Sequence, residues 1–188
     1  MQGLLLILGI AVIIAYLWYV SLIKKRNSAR EALSGIDVQL TKRADLVPNI
    51  LKIAKKFMEH EKSLLTEITA LRAQVTAGYD VTDSGAIKTH LAAAEKLNAK
   101  VGQLMVNVEN YPELKSDVTM LQAMQTYNEV EEHISAARRF YNAAVGELNT
   151  AVEIFPGSII ASMAKVKVMP FYEAEAAARV SVDAADYL

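Results

Sequence analysis

Residues 1–23, MQGLLLILGIAVIIAYLWYVSLI, carry no charged side chain, and Lys24-Lys25-Arg26 follows directly. A bilayer core takes about 20 consecutive apolar residues to span as a helix, and the run meets that length. A cleaved signal peptide would place its positive charge before the apolar core and close on a small-x-small site. Here the charge comes after the core and no such site is present. A buried soluble helix would leave a polar stripe, which is missing too. The segment therefore reads as an uncleaved transmembrane anchor. Leu4, Ile7, Ile10 and Ile14 lie in its apolar body, Trp18 and Tyr19 suit the interfacial aromatic belt, and Lys24, Lys25 and Arg26 mark the aqueous edge. Ala11 and Ala15 form a small-xxx-small pair that would let two such helices approach closely.

The sequence after the anchor suits one domain. Cysteine is absent from all 188 residues, which excludes disulfides, thiolate metal sites and cysteine nucleophiles. Net charge is −1 but unevenly spread. Residues 24–56 hold nine Lys/Arg against Glu31, Asp37 and Asp45, whereas residues 109–132 hold six acids against Lys115. Juxtamembrane cations are favoured near anionic lipid. The positive-inside rule places the domain in the cytoplasm, with a short N-terminus outside; an extracytoplasmic domain is the alternative.

Apolar residues recur at helical spacing almost to the C-terminus, and no long alternating β-branched run precedes residue 165, so the expected fold is all-α. Helix A continues from the anchor to about Thr41. Asp45 can cap helix B, with Pro48 in its first turn, where a missing N–H costs little. Helix B then runs to about Ala77 with a seam from Val47 to Val75 in which Glu61 is the one charge. The apolar phase Leu40, Ala44, Val47 survives across the break, so one long helix kinked at Pro48 stays open as the second reading. GYDVTDSG (78–85) is a loop. Helix C covers about 85–108 through Ile87, Leu91, Ala94, Leu97, Val101, Leu104 and Val108. Pro112 opens helix D, whose seam runs from Leu114, Val118 and Leu121 to Phe155, before Pro156-Gly157. Short connections make sequential helices antiparallel, giving an up-down four-helix bundle over 24–157 behind the anchor of 1–23. In this scheme helix B is long enough to bring its end back to the bilayer, where Lys62, Glu67 and Arg72 would be costly, so either the chain bends near Lys24–Asn27 or Pro48 is a kink in one long helix.

Residues 158–188 form an apolar tail. Lys165–Met169 alternates like a strand, and FYEAEAAARV after Pro170 reads as a short helix. The tail packs on its own bundle, supplies oligomer contacts through Ile159, Met163, Val166, Phe171 and Tyr172, or lies as an interfacial amphipathic element.

The stretch RNSAREALSGIDVQLTKRADLVPNI (26–50) resembles the signature of the LemA family. FMEHE (57–61), ENYPELKS (109–116), AARRFYNAAV (136–145), LNT (148–150), IFP (154–156) and FYEA (171–174) agree with it, and Leu33 stands where the family usually has Trp. The most specific part is Ile36-Asp37-Val38-Gln39-Leu40 with Asp45-Leu46-Val47-Pro48-Asn49. The resemblance implies an N-terminally anchored bacterial membrane protein with a helical bundle and no catalytic motif. Some relatives take part in forming magnetosome membranes.

Sites for bond chemistry find little support. A di-iron bundle needs Glu-x-x-His pairs, and none of His60, His90 and His133 has Glu three residues before it. Nucleophile elbows, phosphate loops and dinucleotide glycines are missing, so no cofactor, metal or small-molecule substrate is expected. The basic run lacks the aromatic interleaving of a nucleic-acid binder. Arg43 with Asp45, and Glu61 in the seam, read as an ion network that fixes helix register. The expected function is a membrane-bound homo-oligomeric scaffold. An adaptor binding a second membrane protein through residues 109–132 is the alternative.

Overall fold

The structure is a computed structural model and describes residues 1–173. Its longest element is α1, Gln2–Ala54, one unbroken helix of 53 residues, about 80 Å long at 1.5 Å per residue. A tight turn and a short 3₁₀ segment, Glu59–Glu61, lead into α2 (Lys62–Thr76). Then follow α3 (Ser84–Val108), the single turn α4 (Pro112–Lys115), α5 (Val118–Glu153) and α6 (Gly157–Met163). All described elements are helical.

Above the apolar run, α1, α2, α3 and α5 make the expected up-down four-helix bundle. The pairings Lys25–Glu147 and Arg43–Glu131 set α5 antiparallel to α1, and Lys100–Glu67 sets α3 antiparallel to α2. The core is the α1 stripe Ala29, Leu33, Ile36, Leu40, Val47 and Ile50, the whole expected seam of α3, and Ile134, Tyr141, Val145 and Leu148 of α5. Each follows the three-four spacing that turns one helix face inward.

Three boundaries differ from the sequence reading. The break expected between Thr41 and Asp45 is absent: α1 passes through Pro48 and ends at Ala54. A proline inside a helix takes the donor away from the carbonyl four residues earlier, here that of Ala44. Arg72 of α2 replaces it, its Nε donating to the Ala44 oxygen at 2.7 Å. The Pro48 ring faces outward and Ala44 is fully buried, so the helix keeps its core face through the notch. The true reversal comes at Lys55–Met58, where the amides of Phe57 and Met58 both return to the Ala54 carbonyl and buried Met58 fills the corner. Because α2 is therefore short, its charges stay well above the bilayer and the burial cost foreseen for Lys62, Glu67 and Arg72 does not arise.

Helix D is likewise divided. Asp117 leaves helical geometry and caps α5, accepting from the Met120 amide at 2.9 Å. The cap resets the phase, so Met120 and Ala123 point inward while Val118 and Leu121 are exposed. The tail, finally, is no strand. Lys165 takes a left-handed backbone (φ 52°) and ends α6, and the Val166 amide returns to the Ala161 carbonyl at 2.9 Å, the bond of a Schellman turn. From there the chain runs extended along α5. The short helix expected after Pro170 lies, from residue 174 on, outside the described residues.

Candidate functional site

Below the bundle, side chains 1–17 of α1 are all exposed to the surroundings. An apolar run of this length left uncovered by the protein's own fold is stable only in lipid, so this is a membrane protein, with one spanning helix among the described residues. Leu4, Ile7, Ile10, Ile14 and Tyr19 are exposed and Trp18 is half-covered. The covering group is the corner between α5 and α6. A Cβ on Gly157 would collide with the Ala151 carbonyl oxygen and would come 3.5 Å from the Trp18 ring. Glycine is what lets α6 seat there. Lys25 reaches Glu147 at 2.8 Å, and this partner holds the Glu147 carboxyl below its ordinary range.

Two polar clusters lie inside the bundle. In the first, the Tyr79 hydroxyl donates to Asp37 Oδ2 at 2.7 Å, the Tyr79 ring stacks on His90 at 4.1 Å between centroids, and His90 Nε2 stands 3.4 Å from Asp37 Oδ1. The group borders a cavity of about 310 Å³ at the α2–α3 loop. Burial, followed by the Asp37 hydrogen bond, pushes the Tyr79 phenol well above its ordinary value. Near neutral pH it stays protonated, which removes it as a base or nucleophile. What the cluster does is join α1, the α2–α3 loop and α3 at one level.

The second cluster centres on Arg43, which is 0% exposed. It donates to Glu131 at 3.0 Å and to the Ala94 carbonyl at 2.6 Å. Burial is the largest single influence and pushes the guanidinium down, but Glu131 together with Tyr127 and Tyr172 outweighs it, and the net shift is upward. Tyr127 donates to Asn98 at 3.1 Å, and Arg138 pairs with Glu95 at 3.3 Å while lying 4.9 Å over the Tyr172 ring. The network expected between Arg43 and Asp45 is therefore routed elsewhere. Asp45 is exposed and stands 3.8 Å from Arg72. Asn49 is exposed on α1, and Glu61 is half-buried in the 3₁₀ turn, outside the Arg43 cluster. Residues i and i+2 of one helix diverge around its axis, so Arg43 and Asp45 cannot share a partner face.

The tail residues divide in two. Val166 and Tyr172 are buried on the chain's own bundle, while Ile159, Met163 and Phe171 are exposed. Asn149 exchanges two hydrogen bonds with the Met169 backbone, both 2.9 Å, and Asn142 two with that of Tyr172 at 3.1 and 2.8 Å. The Tyr141 hydroxyl donates to the Pro170 carbonyl at 2.7 Å. These side chains take the place of a neighbouring strand. Sequence reading missed Tyr79, His90, Arg72, Glu131, Asn142 and Asn149 as structural partners. The acidic stretch is partly committed inside the protein, since Glu131 holds Arg43 and Asp117 caps α5. Among the described residues no group of three or more His, Cys, Asp or Glu is placed to hold a metal ion.

The chain is 23% identical to the magnetosome protein MamQ of Magnetospirillum gryphiswaldense, across 82% of this chain and 64% of that protein. It is 24% identical to the magnetosome proteins MamQ 1 and MamQ 2 of Paramagnetospirillum magneticum, across 74% of this chain and 59% of each. The chain thus spans less than two thirds of the length of these curated relatives. The family model described as "LemA family" matches residues 32–184, which takes in both polar clusters and the strapped tail, and the chain belongs to that family.

Proposed function

We propose that the protein is a membrane-anchored scaffold: copies held in one bilayer by residues 1–23 assemble side by side into a homo-oligomer that organises or shapes the membrane. The observation that carries this reading is the continuity of α1. The helix that crosses the lipid is the same helix whose Ala29, Leu33, Ile36 and Leu40 form the bundle core. Without a flexible joint between them, packing forces on the bundle pass directly to the bilayer. Self-assembly is favoured by aliphatic surface that the fold leaves uncovered at its far end, where Val106, Val118 and Leu121 are 68%, 77% and 52% exposed. Identical subunits in one membrane plane favour cyclic or lattice contacts. The likeness to proteins named for the magnetosome supports a structural role. The bundle is on the cytoplasmic side, by the excess of Lys and Arg that follows the anchor.

Full-length protein in lipid nanodiscs, measured by native mass and by crosslinking, tests the assembly. Discrete species larger than one copy are expected. A clean monomer at every working concentration overturns the scaffold reading.

A further inference from the structure

The membrane-proximal end holds a cavity of about 220 Å³ walled by three stretches distant in sequence. Arg26 and Arg30 come from α1, Thr82 from the α2–α3 loop and Ser84 from the first residue of α3, and Lys165 and Lys167 from the segment after α6. The fold brings them together by bonds already named and one more: Asn149 holds Met169, the left-handed turn at Lys165 reverses the chain, and the Ser84 hydroxyl donates to the Val168 carbonyl at 2.8 Å.

None of these four cations is in an ion pair among the described residues. Arg26 donates only to its neighbour Asn27, at 3.3 and 3.4 Å. Asp80 lies within electrostatic reach of Arg30, and its Oδ1 already accepts from the Thr82 amide and hydroxyl at 2.8 and 2.7 Å. The Thr82 and Ser84 hydroxyl protons are thus committed, and what the cavity offers a ligand is positive charge.

Its height above the lipid selects the ligand. Arg26 and Arg30 stand about 5 and 10 Å along α1 beyond Ile23, and headgroups extend about 5–7 Å beyond the hydrocarbon on each side. The corner beside Trp18 presents Phe155, Ile159 and Met163, which are 76%, 55% and 80% exposed, so the apolar surface of the anchor continues under the cavity. We infer that this cavity binds the phosphodiester headgroup of an anionic membrane lipid, whose acyl chains lie along the Phe155–Met163 corner. The inference rests on the anchor's place in a bilayer and not on self-assembly, so a monomeric protein would leave it standing.

The test uses full-length protein in nanodiscs of phosphatidylcholine, with and without a minority of phosphatidylglycerol. Two readouts apply: hydrogen exchange of residues 80–84 and 165–169, and the number of anionic lipids retained in native mass spectra. Phosphatidylglycerol is expected to slow exchange in both segments. Arg30→Gln with Lys165→Asn, asparagine being tolerant of the left-handed backbone, is expected to weaken lipid retention on the order of tenfold to thirtyfold. Lys55→Gln with Lys56→Gln makes the same charge change at the far end of the bundle and should weaken it little. Lys167→Gln alone, at an exposed position, repeats the test if the double variant misfolds. Equal exchange in the two lipids, or equal losses from the near and far variants, overturns the inference. Inorganic phosphate slowing the same segments in pure phosphatidylcholine also overturns it, since the ligand would then be a soluble anion.

Discussion

Removing Pro48 should make Arg72 nearly dispensable. In the native chain the Ala44 carbonyl has lost its helical donor to the proline and accepts from Arg72 Nε at 2.7 Å. A hydrogen bond from a charged donor contributes roughly 1.5–3 kcal/mol when dry. The Arg72 side chain keeps 34% of its exposure, so water can partly replace it, and Arg72→Ala should cost only about 1–1.5 kcal/mol. In a Pro48→Ala background the amide of residue 48 reclaims the carbonyl. Arg72→Ala then loses mainly the 3.8 Å contact with exposed Asp45, worth about 0–0.5 kcal/mol. The coupling is therefore about 1 kcal/mol, or a difference of about 2–4 °C in Tm for a protein of this size. Pro48→Ala alone should raise stability, since proline in a helix interior costs up to about 3 kcal/mol relative to alanine. The assay is thermal and urea unfolding of the four proteins in one detergent, followed by circular dichroism. If Arg72→Ala costs the same with and without Pro48, the carbonyl is not what Arg72 serves and the account of the unbroken helix fails.

Two further outcomes follow from the buried polar groups. Glu131→Ala should destabilise by about 2–3 kcal/mol, at or below the low end for a broken buried pair because Glu131 is partly solvated; Arg43→Met with Glu131→Leu should recover most of that, and zero coupling in the cycle with intact folding would refute the pairing. Tyr79, Tyr127, Tyr141 and Tyr172 all have phenols pushed above their ordinary value, burial being the largest cause in each. Raised acids leave stability intact below the unfolded tyrosine pKa of about 10 and remove it as pH climbs towards the folded values. Ultraviolet titration should therefore show these four ionising together with loss of helix signal; smooth ionisation near pH 10 in a folded protein would contradict their burial.

The anchor, the all-helical class and the seam of α3 were legible because each depends on local composition or period alone. The path through Pro48 was legible only as the second of two readings, from the apolar phase Leu40, Ala44, Val47 that runs across it. A proline after an Asp is a good helix start by local rules, and the donor that replaces its missing N–H is Arg72 on α2, 28 positions in sequence from the Ala44 carbonyl it serves. Arg43 shows the same limit. Its sequence neighbour Asp45 was the visible counterion, while the actual one, Glu131, is 88 residues distant. In the tail, alternation at 165–169 carried a correct message about extended backbone and a wrong one about its partner, because Asn142 and Asn149 supply what a second strand would. Periodicity reports which face is buried; it does not report which polar group finds which.

Because α1 crosses residue 23 without a joint, the bundle follows the angle at which the anchor lies in the bilayer. Membrane helices incline by about 20° on average and adjust to hydrocarbon thickness. The part of α1 beyond Ile23 is about 46 Å long, so a swing of about 20° carries its tip sideways by roughly 16 Å. Thickening or thinning of the surrounding lipid by a few ångströms would thus be magnified into large lateral excursions of the far end, and in the assembly proposed above copies meeting there would register the width of the membrane they stand in.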